Sequence, residues 1–245
     1  MKSVFISLFI LTTLVASAQQ MKKIVGGSKA VAQEYPWMGS IVMDNGMQGC
    51  GASLIHPEWI LTAAHCAPPY NFPFFVPDQV ILNSITIDVD DLHSESELIP
   101  IDSVVIHRDF EFFSTSGSDI ALLHLATPSQ IEPVQRASYE DGINFSHGQD
   151  ARALGWGLTE TGGGTSDTLL KALCEFINND TCERLYSVSD NSFFELNKGR
   201  NICAGYMDTI PAGAAQGDSG GPLFYIDPQT GDPVQVGIVS GGESD

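Results

Sequence analysis

The sequence predicts an all-β protein, and three features carry that prediction. Twenty-four glycines and thirteen prolines are spread along its length, which favours frequent turns over long helices. Short β-prone runs recur between turn residues, and no strand alternates with a long amphipathic helix. With 245 residues, 43% of them hydrophobic, the chain can bury a sizeable core, and a β-rich fold can occupy this length as one structural unit.

The N-terminus reads as a secretory signal. Lys2 supplies the charged start, Val4 to Val15 is mostly apolar, and Ala16-Ser17-Ala18 has the small-x-small form of a cleavage site. Residues 1–18 are therefore expected to be removed, the destination to be oxidising and extracellular, and the five cysteines to favour disulfides. The apolar run is short for a membrane span, and the net charge of -19 speaks against nucleic-acid or anionic-membrane partners. Next comes Met21-Lys22-Lys23 and then Ile24-Val25-Gly26-Gly27. Cutting after Lys23 would create an ammonium at Ile24 able to fold inward onto a buried carboxylate.

Ser40-Ile41-Val42-Met43 and Ser53-Leu54-Ile55 read as strands joined by the turn Asp44-Asn45-Gly46, a hairpin signal. Cys50 and Cys66 flank Trp59-Ile60-Leu61-Thr62-Ala63-Ala64-His65. A bridge between them would contribute roughly 3 kcal/mol and would fix the backbone carrying His65. His56, His93, His107, His124 and His147 have no such local feature. Residues 67–77 form a proline-interrupted aromatic loop, with Tyr70, Phe72, Phe74 and Phe75 expected to pack onto the body of the protein.

Asp88, Asp90, Asp91, Glu95 and Glu97 offer the hard oxygens that calcium takes, but without the glycine and spacing of a recognised calcium loop, so they read as a solvated acidic loop and no cofactor is expected. Asp119 opens the apolar run Ile120-Ala121-Leu122-Leu123-His124-Leu125 and is expected to be buried beside a partner such as a histidine N–H. Pro128 to Pro133 breaks the pattern and reads as a crossover between two halves. Beyond it, β-like runs fall at Ala151 to Leu154, Leu169 to Phe176, Asn201 to Ala204, Pro222 to Ile226 and Val234 to Val239. Cys182 and Cys203 form a natural second bridge, which leaves Cys174 as a buried thiol or an intermolecular half. Asn144 and Asn179 each open a glycosylation acceptor triplet.

The stretch from Gly213 to Pro222 presents one serine, Ser219, between Asp218 and two glycines. Glycine at such density lets backbone N–H groups approach a ligand, and a serine nucleophile needs a base and an orienting carboxylate elsewhere. With Ile24-Val25-Gly26-Gly27, Thr62-Ala63-Ala64-His65-Cys66, Asp119-Ile120-Ala121-Leu122-Leu123, Gly155-Trp156-Gly157 and Gly217-Asp218-Ser219-Gly220-Gly221-Pro222 in this order, the chain resembles the chymotrypsin and trypsin family of secreted serine proteases from Ile24 to about Gly242. The resemblance implies two antiparallel six-stranded Greek-key barrels, the first over about residues 24–130 and the second over about 131–245. It implies Ser219 as nucleophile, His65 as general base and Asp119 as the carboxylate orienting it, with an oxyanion hole at the N–H groups of Gly217 and Ser219. It also implies a zymogen: residues 19–23 are the activation peptide, a trypsin-like protease cuts after Lys23, and Ile24 pairs with Asp218. Partners would be protein or peptide substrates, the activating protease and protease inhibitors, with the enzyme a monomer.

The implied substrate pocket comprises Gly213, Ala214, Gln216, Ser240, Gly241 and Gly242. A small neutral floor at Gly213 favours an apolar or aromatic side chain before the scissile bond. Gly241 stands where the family usually has tryptophan, and Ala215 replaces a cysteine that braces the pocket. The family continues beyond the point matching Asp245, so the second barrel is expected to be incomplete, with exposed apolar surface and unpaired strand edges. An alternative is a catalytically inactive, protease-shaped binding module. A third reading, an α/β hydrolase, fits poorly: the order His, Asp, Ser is wrong for it, and strands do not alternate with long amphipathic helices.

Overall fold

A computed structural model of the chain describes residues 27–67, 76–111, 117–138, 145–158, 164–188, 196–205 and 216–241. The signal segment, the activation peptide, Ile24, the aromatic loop from Tyr70 to Phe75, Asn144, Gly213, Ala214 and Gly242 lie outside the described residues. The strands in chain order are β1 (Ser28–Lys29), β2 (Met38–Met43), β3 (Gln48–His56), β4 (Trp59–Thr62), β5 (Pro77–Leu82), β6 (Glu97–Ile106) and β7 (Ala121–Leu125). They continue with β8 (Gln135–Arg136), β9 (Asp150–Gly155), β10 (Leu170–Ile177), β11 (Cys203–Gly205), β12 (Pro222–Ile226) and β13 (Pro233–Ile238). Helix α1 (Asn179–Val188) follows β10.

The all-β expectation holds. Strands β2-β3-β4-β7-β6-β5 close into an antiparallel barrel. The turn at Asp44-Asn45-Gly46 makes the β2–β3 hairpin as expected: the Gly46 N–H donates to the Met43 carbonyl, and Gly46 takes φ +78°, a left-handed conformation that glycine adopts without strain. Register shifts between Ile41 and Val42 and between Val42 and Met43 add the local twist that a small closed barrel requires. Ile41, Leu54, Ile60, Val80, Leu82, Leu123 and Leu125 fill its interior.

The second half is a seven-stranded sheet in the order β1-β10-β9-β12-β13-β8, with β11 also paired to β10. Among the described residues this sheet stays open, and Leu173 and Ile202 are 53% and 38% exposed on it. Leu154, Trp156, Leu169 and Phe224 join the same hydrophobic core as the barrel residues. Phe224 meets Tyr35 and Trp37 edge to face, at centroid distances of 5.5 and 5.4 Å. The two halves therefore bury one continuous apolar interface.

Both expected disulfides form, Cys50 with Cys66 and Cys182 with Cys203. Cys174 is a buried thiol packed in a smaller cluster with Ala151, Phe176 and Leu223. Burial, reinforced by the neighbouring Glu175 charge, pushes its thiol up to about 12, which disfavours the reactive thiolate at neutral pH. Asn179, read from sequence as the start of a glycosylation triplet, sits at the start of α1 and donates through its amide to the Lys198 carbonyl, while Thr181 of the same triplet is only 8% exposed. Among the described residues no helix is long and apolar enough to cross a membrane.

Candidate active site

Strand β4 delivers His65. It ends at Thr62, and after Ala63 a single 3-10 turn, Ala64–Cys66, carries the imidazole to the rim of the barrel. Cys66 ties that turn to Cys50 on β3, so the backbone of His65 is held at a covalent anchor as well as at a strand end. Asp119 lies two residues before β7, the strand that pairs with β4, and this adjacency brings the two side chains together. The His65 N–H donates to Asp119 Oδ1 at 2.9 Å, and His65 Nδ1 lies 2.7 Å from Asp119 Oδ2. An ionised carboxylate only accepts, so Nδ1 carries the proton and Nε2 is left as the basic nitrogen.

Asp119 is 13% exposed at its side chain, as expected of an aspartate leading an apolar strand. Burial raises its carboxyl, but bonds from the His65 ring, the Ser240 hydroxyl and the His65 N–H outweigh that effect and hold it below the usual carboxylate range. Ser240, read from sequence as part of the substrate-binding edge, donates its hydroxyl to Asp119 Oδ2 at 2.7 Å. Because the folded carboxyl is depressed, the pair contributes stability above the unfolded value near 3.8 and loses it as the pH falls through the lower folded value. The thermal midpoint is expected to drop between about pH 5 and about pH 3. Asp119→Asn is expected to drop less over that interval, as calorimetry at each pH would record.

Ser219 sits in a turn whose backbone is fastened to both halves. Its carbonyl accepts the Gly51 N–H of β3 at 2.7 Å, the next N–H, of Gly220, donates to the Val239 carbonyl just past β13 at 2.8 Å, and Gly221 N–H closes the turn onto the Asp218 carbonyl at 2.9 Å. Gly217 and Gly220 take φ +99° and +78°. Gly51 has a second role: its carbonyl accepts the Thr62 hydroxyl at 2.9 Å. Gly51, through its N–H and its carbonyl, thus links strand β4, which leads to His65, to the turn that carries Ser219.

Asp218 is 2% exposed, and its Oδ1 accepts the Gly157 N–H at 2.8 Å. A Cβ on Gly155 would stand 2.0 Å from that oxygen, and one on Gly157 would stand 2.6 Å from the carboxyl group. The Gly155-Trp156-Gly157 motif is therefore a cradle for a buried carboxylate, while Trp156 itself turns away to donate to the Ile85 carbonyl.

His65, Asp119, Ser219, Gly217, Asp218, Gln216, Ser240 and Gly241 fall within the described residues. Gly51 and Arg200 have no part in the sequence reading, and Thr62 enters it only as a member of the motif that ends at Cys66. Gly51 acts through its backbone N–H and carbonyl and Thr62 through its side-chain hydroxyl, while Arg200 donates to Ser118, the residue before Asp119, and lies 3.4 Å from Asp109. Thr62 lies within a recognised motif, which is the signal that could have found it.

The chain is a serine endopeptidase of chymotrypsin-like fold. Comparison with known proteins narrows that class. The Trypsin family matches residues 24–245. The chain is 33% identical over 211 residues to Serine protease SSP1 of Scolopendra subspinipes, covering 82% of this chain and 68% of that protein. It is 29% identical over 223 residues to Trypsin of Saccharopolyspora erythraea, covering 90% and 87%. It belongs to the trypsin family of serine proteases.

Proposed function

We propose that the protein is a secreted endopeptidase made as a zymogen, in which Ser219, His65 and Asp119 form the catalytic triad. The observation that carries this reading is the join at Gly51, which couples the serine turn to the strand bearing a histidine already paired with aspartate. Ser219 Oγ attacks the scissile carbonyl as His65 Nε2 takes its proton. The N–H groups of Gly217 and Ser219 receive the oxyanion, each such donor being worth roughly 3 to 4 kcal/mol of barrier. His65 then protonates the leaving amine, and water, activated by the same imidazole, hydrolyses the acyl-enzyme. Asp119 stabilises the imidazolium formed in both steps. No cofactor is needed.

Removal of residues 1–18 and cutting after Lys23 by a trypsin-like protease would free the Ile24 ammonium, and the buried Asp218 carboxylate offers it a partner in the second half. That pairing would order the Gly217 turn and with it the oxyanion donors. The small floor at Gly213, with Ala214, Gln216, Gly241 and Gly242 around it, favours substrates with an apolar or aromatic residue before the scissile bond. Protease inhibitors that fit this pocket are expected partners, and the enzyme is expected to act as a monomer outside the cell, as the two disulfides suit.

Treating the purified chain with trypsin and then with a fluorophosphonate probe tests this reading. Peptide mapping is expected to find a new terminus at Ile24 and one probe on Ser219, with labelling dependent on the cut. Peptide turnover with Ser219 unlabelled would overturn the assignment of the nucleophile.

A further inference from the structure

Asp119 is the central residue of a tight turn. The Ile120 N–H donates to the Ser118 carbonyl at 2.9 Å, so the direction in which the carboxylate leaves the chain is set by where these two neighbours are held. Downstream the anchor lies in the first half: the Ile120 carbonyl accepts the His107 N–H at 3.0 Å, and His107 directly follows β6. Upstream the anchor comes from the second half. Ser118 is only 3% exposed, and its hydroxyl accepts a bond from Nη1 of Arg200.

The same guanidinium lies, through Nη2, 3.4 Å from Asp109 Oδ2. One planar group thus reaches two points of the first half, the residue before Asp119 and the bend after β6, a span that suits the forked donors of arginine. The backbones meet closely as well. A Cβ on Gly117, which takes φ +76°, would stand 2.8 Å from Arg200 Cβ and 3.0 Å from Asn201 Oδ1. Arg200 is itself firmly held at this junction. Its N–H and that of Asn201 donate to the Asn197 carbonyl at 2.9 and 2.8 Å, the Asn201 side chain accepts the Asn197 N–H at 2.8 Å, and Cys203 close behind is bridged to Cys182 of α1.

Exposure decides which of the two contacts matters. Arg200 and Asp109 are 45% and 44% exposed at their side chains, and an ion pair so open to water contributes little. The bond to Ser118 joins a charged donor to a buried hydroxyl, where a hydrogen bond is stronger and its geometry more strictly enforced. Beyond it, the Asp119 carboxylate accepts from the His65 N–H, the His65 ring and the Ser240 hydroxyl, and all three bonds depend on the turn keeping its place.

We infer that Arg200 is a positioning residue for hydrolysis: by gripping Ser118 across the junction of the two halves, it fixes the Asp119 turn and so the angle at which the carboxylate meets His65. It acts through Ser118 and not on the reacting atoms. The inference rests on the proposed roles of Ser219, His65 and Asp119.

The test compares the full chain, activated with immobilised trypsin, with Arg200→Ala, Ser118→Ala and the double variant. Two readouts are taken, the rate at which a fluorophosphonate probe labels Ser219, and kcat and KM on a short peptide. The labelling rate constant does not depend on the fraction of folded protein, so partial unfolding cannot imitate the effect. Each single variant is expected to lose about tenfold in labelling rate and in kcat with KM within about twofold, because a full ångström of misplacement costs about a hundredfold and a released turn drifts by less. The double variant is expected to be no slower than either single one, since both remove the same bond, and on an Asp119→Asn background Arg200→Ala is expected to cost less than about twofold more. Parent rates in either single variant, a loss confined to KM, or losses that multiply in the double variant or on Asp119→Asn overturn the inference, whatever happens to the thermal midpoint. Any of these with the probe still on Ser219 defeats the clamp alone, whereas turnover surviving Ser219→Ala defeats the triad beneath it.

Discussion

Replacing Ser219 with alanine is expected to lower kcat for peptide hydrolysis by about a million-fold while leaving the protein folded. The size of the loss follows from the chemistry. On the proposed assignment no acyl-enzyme forms without Oγ, and the proposed oxyanion donors can assist only direct attack by water. The fold is expected to survive because the bonds that hold the turn are backbone bonds, from Gly51 to the Ser219 carbonyl and from Gly220 to Val239, which alanine keeps. Ser219 also has no positive φ that would penalise alanine. The check is a progress curve on active-site-titrated enzyme with thermal unfolding alongside. Turnover within tenfold of the parent in a pure sample would place the nucleophile elsewhere.

Gly220→Ala, one residue away, should fail for the opposite reason. Its added methyl would stand 2.2 Å from Thr62 Oγ1, 2.4 Å from the Gly51 carbonyl oxygen and 3.2 Å from the Ala63 nitrogen, and the residue would have to keep φ +78°. Two of those three atoms belong to the backbone, so neither rotamer change nor side-chain motion relieves the overlap. A left-handed alanine costs about 1 to 2 kcal/mol and overpacking about 1 to 3 more, so a loss of roughly 2 to 5 kcal/mol is expected. The atoms it pushes against join His65's strand to the serine turn, so kcat/KM should fall by at least about a hundredfold, as an ångström of misplacement does. Chemical denaturation and kinetics on the same sample would show it. A variant with the parent's midpoint and rate would mean that the turn does not need this close approach.

These contrasts mark what could be read in the sequence. The hairpin at Asp44-Asn45-Gly46 was legible because turn chemistry is local, and β12 matches the run Pro222 to Ile226 because it is apolar and bounded by glycine and aspartate. Strands β5 and β6 were not assigned. Pro100 and Asp102 interrupt the apolar pattern of β6, and its outward residues are exposed because only one face meets the barrel interior. Helix α1 was missed as well. Its capping signal is the Asn178 side chain accepting the Thr181 N–H, in a stretch read instead for its cysteine and its glycosylation triplet. The site divides in the same way. His65, Asp119 and Ser219 lie in recognisable motifs, whereas the contribution of Gly51 arises only where strands distant in sequence meet, and no local pattern encodes it.

The two hydrogen bonds at Gly51 also bear on what the halves can do before they meet. Because Gly51 on the first half holds both strand β4, which leads to His65, and the turn of the second half that carries Ser219, neither half alone sets these residues relative to one another. On the proposed triad, a chain whose halves have not docked is expected to show no peptide turnover. Under the proposed assignment, folding itself is therefore expected to gate turnover before the proposed cut after Lys23 can.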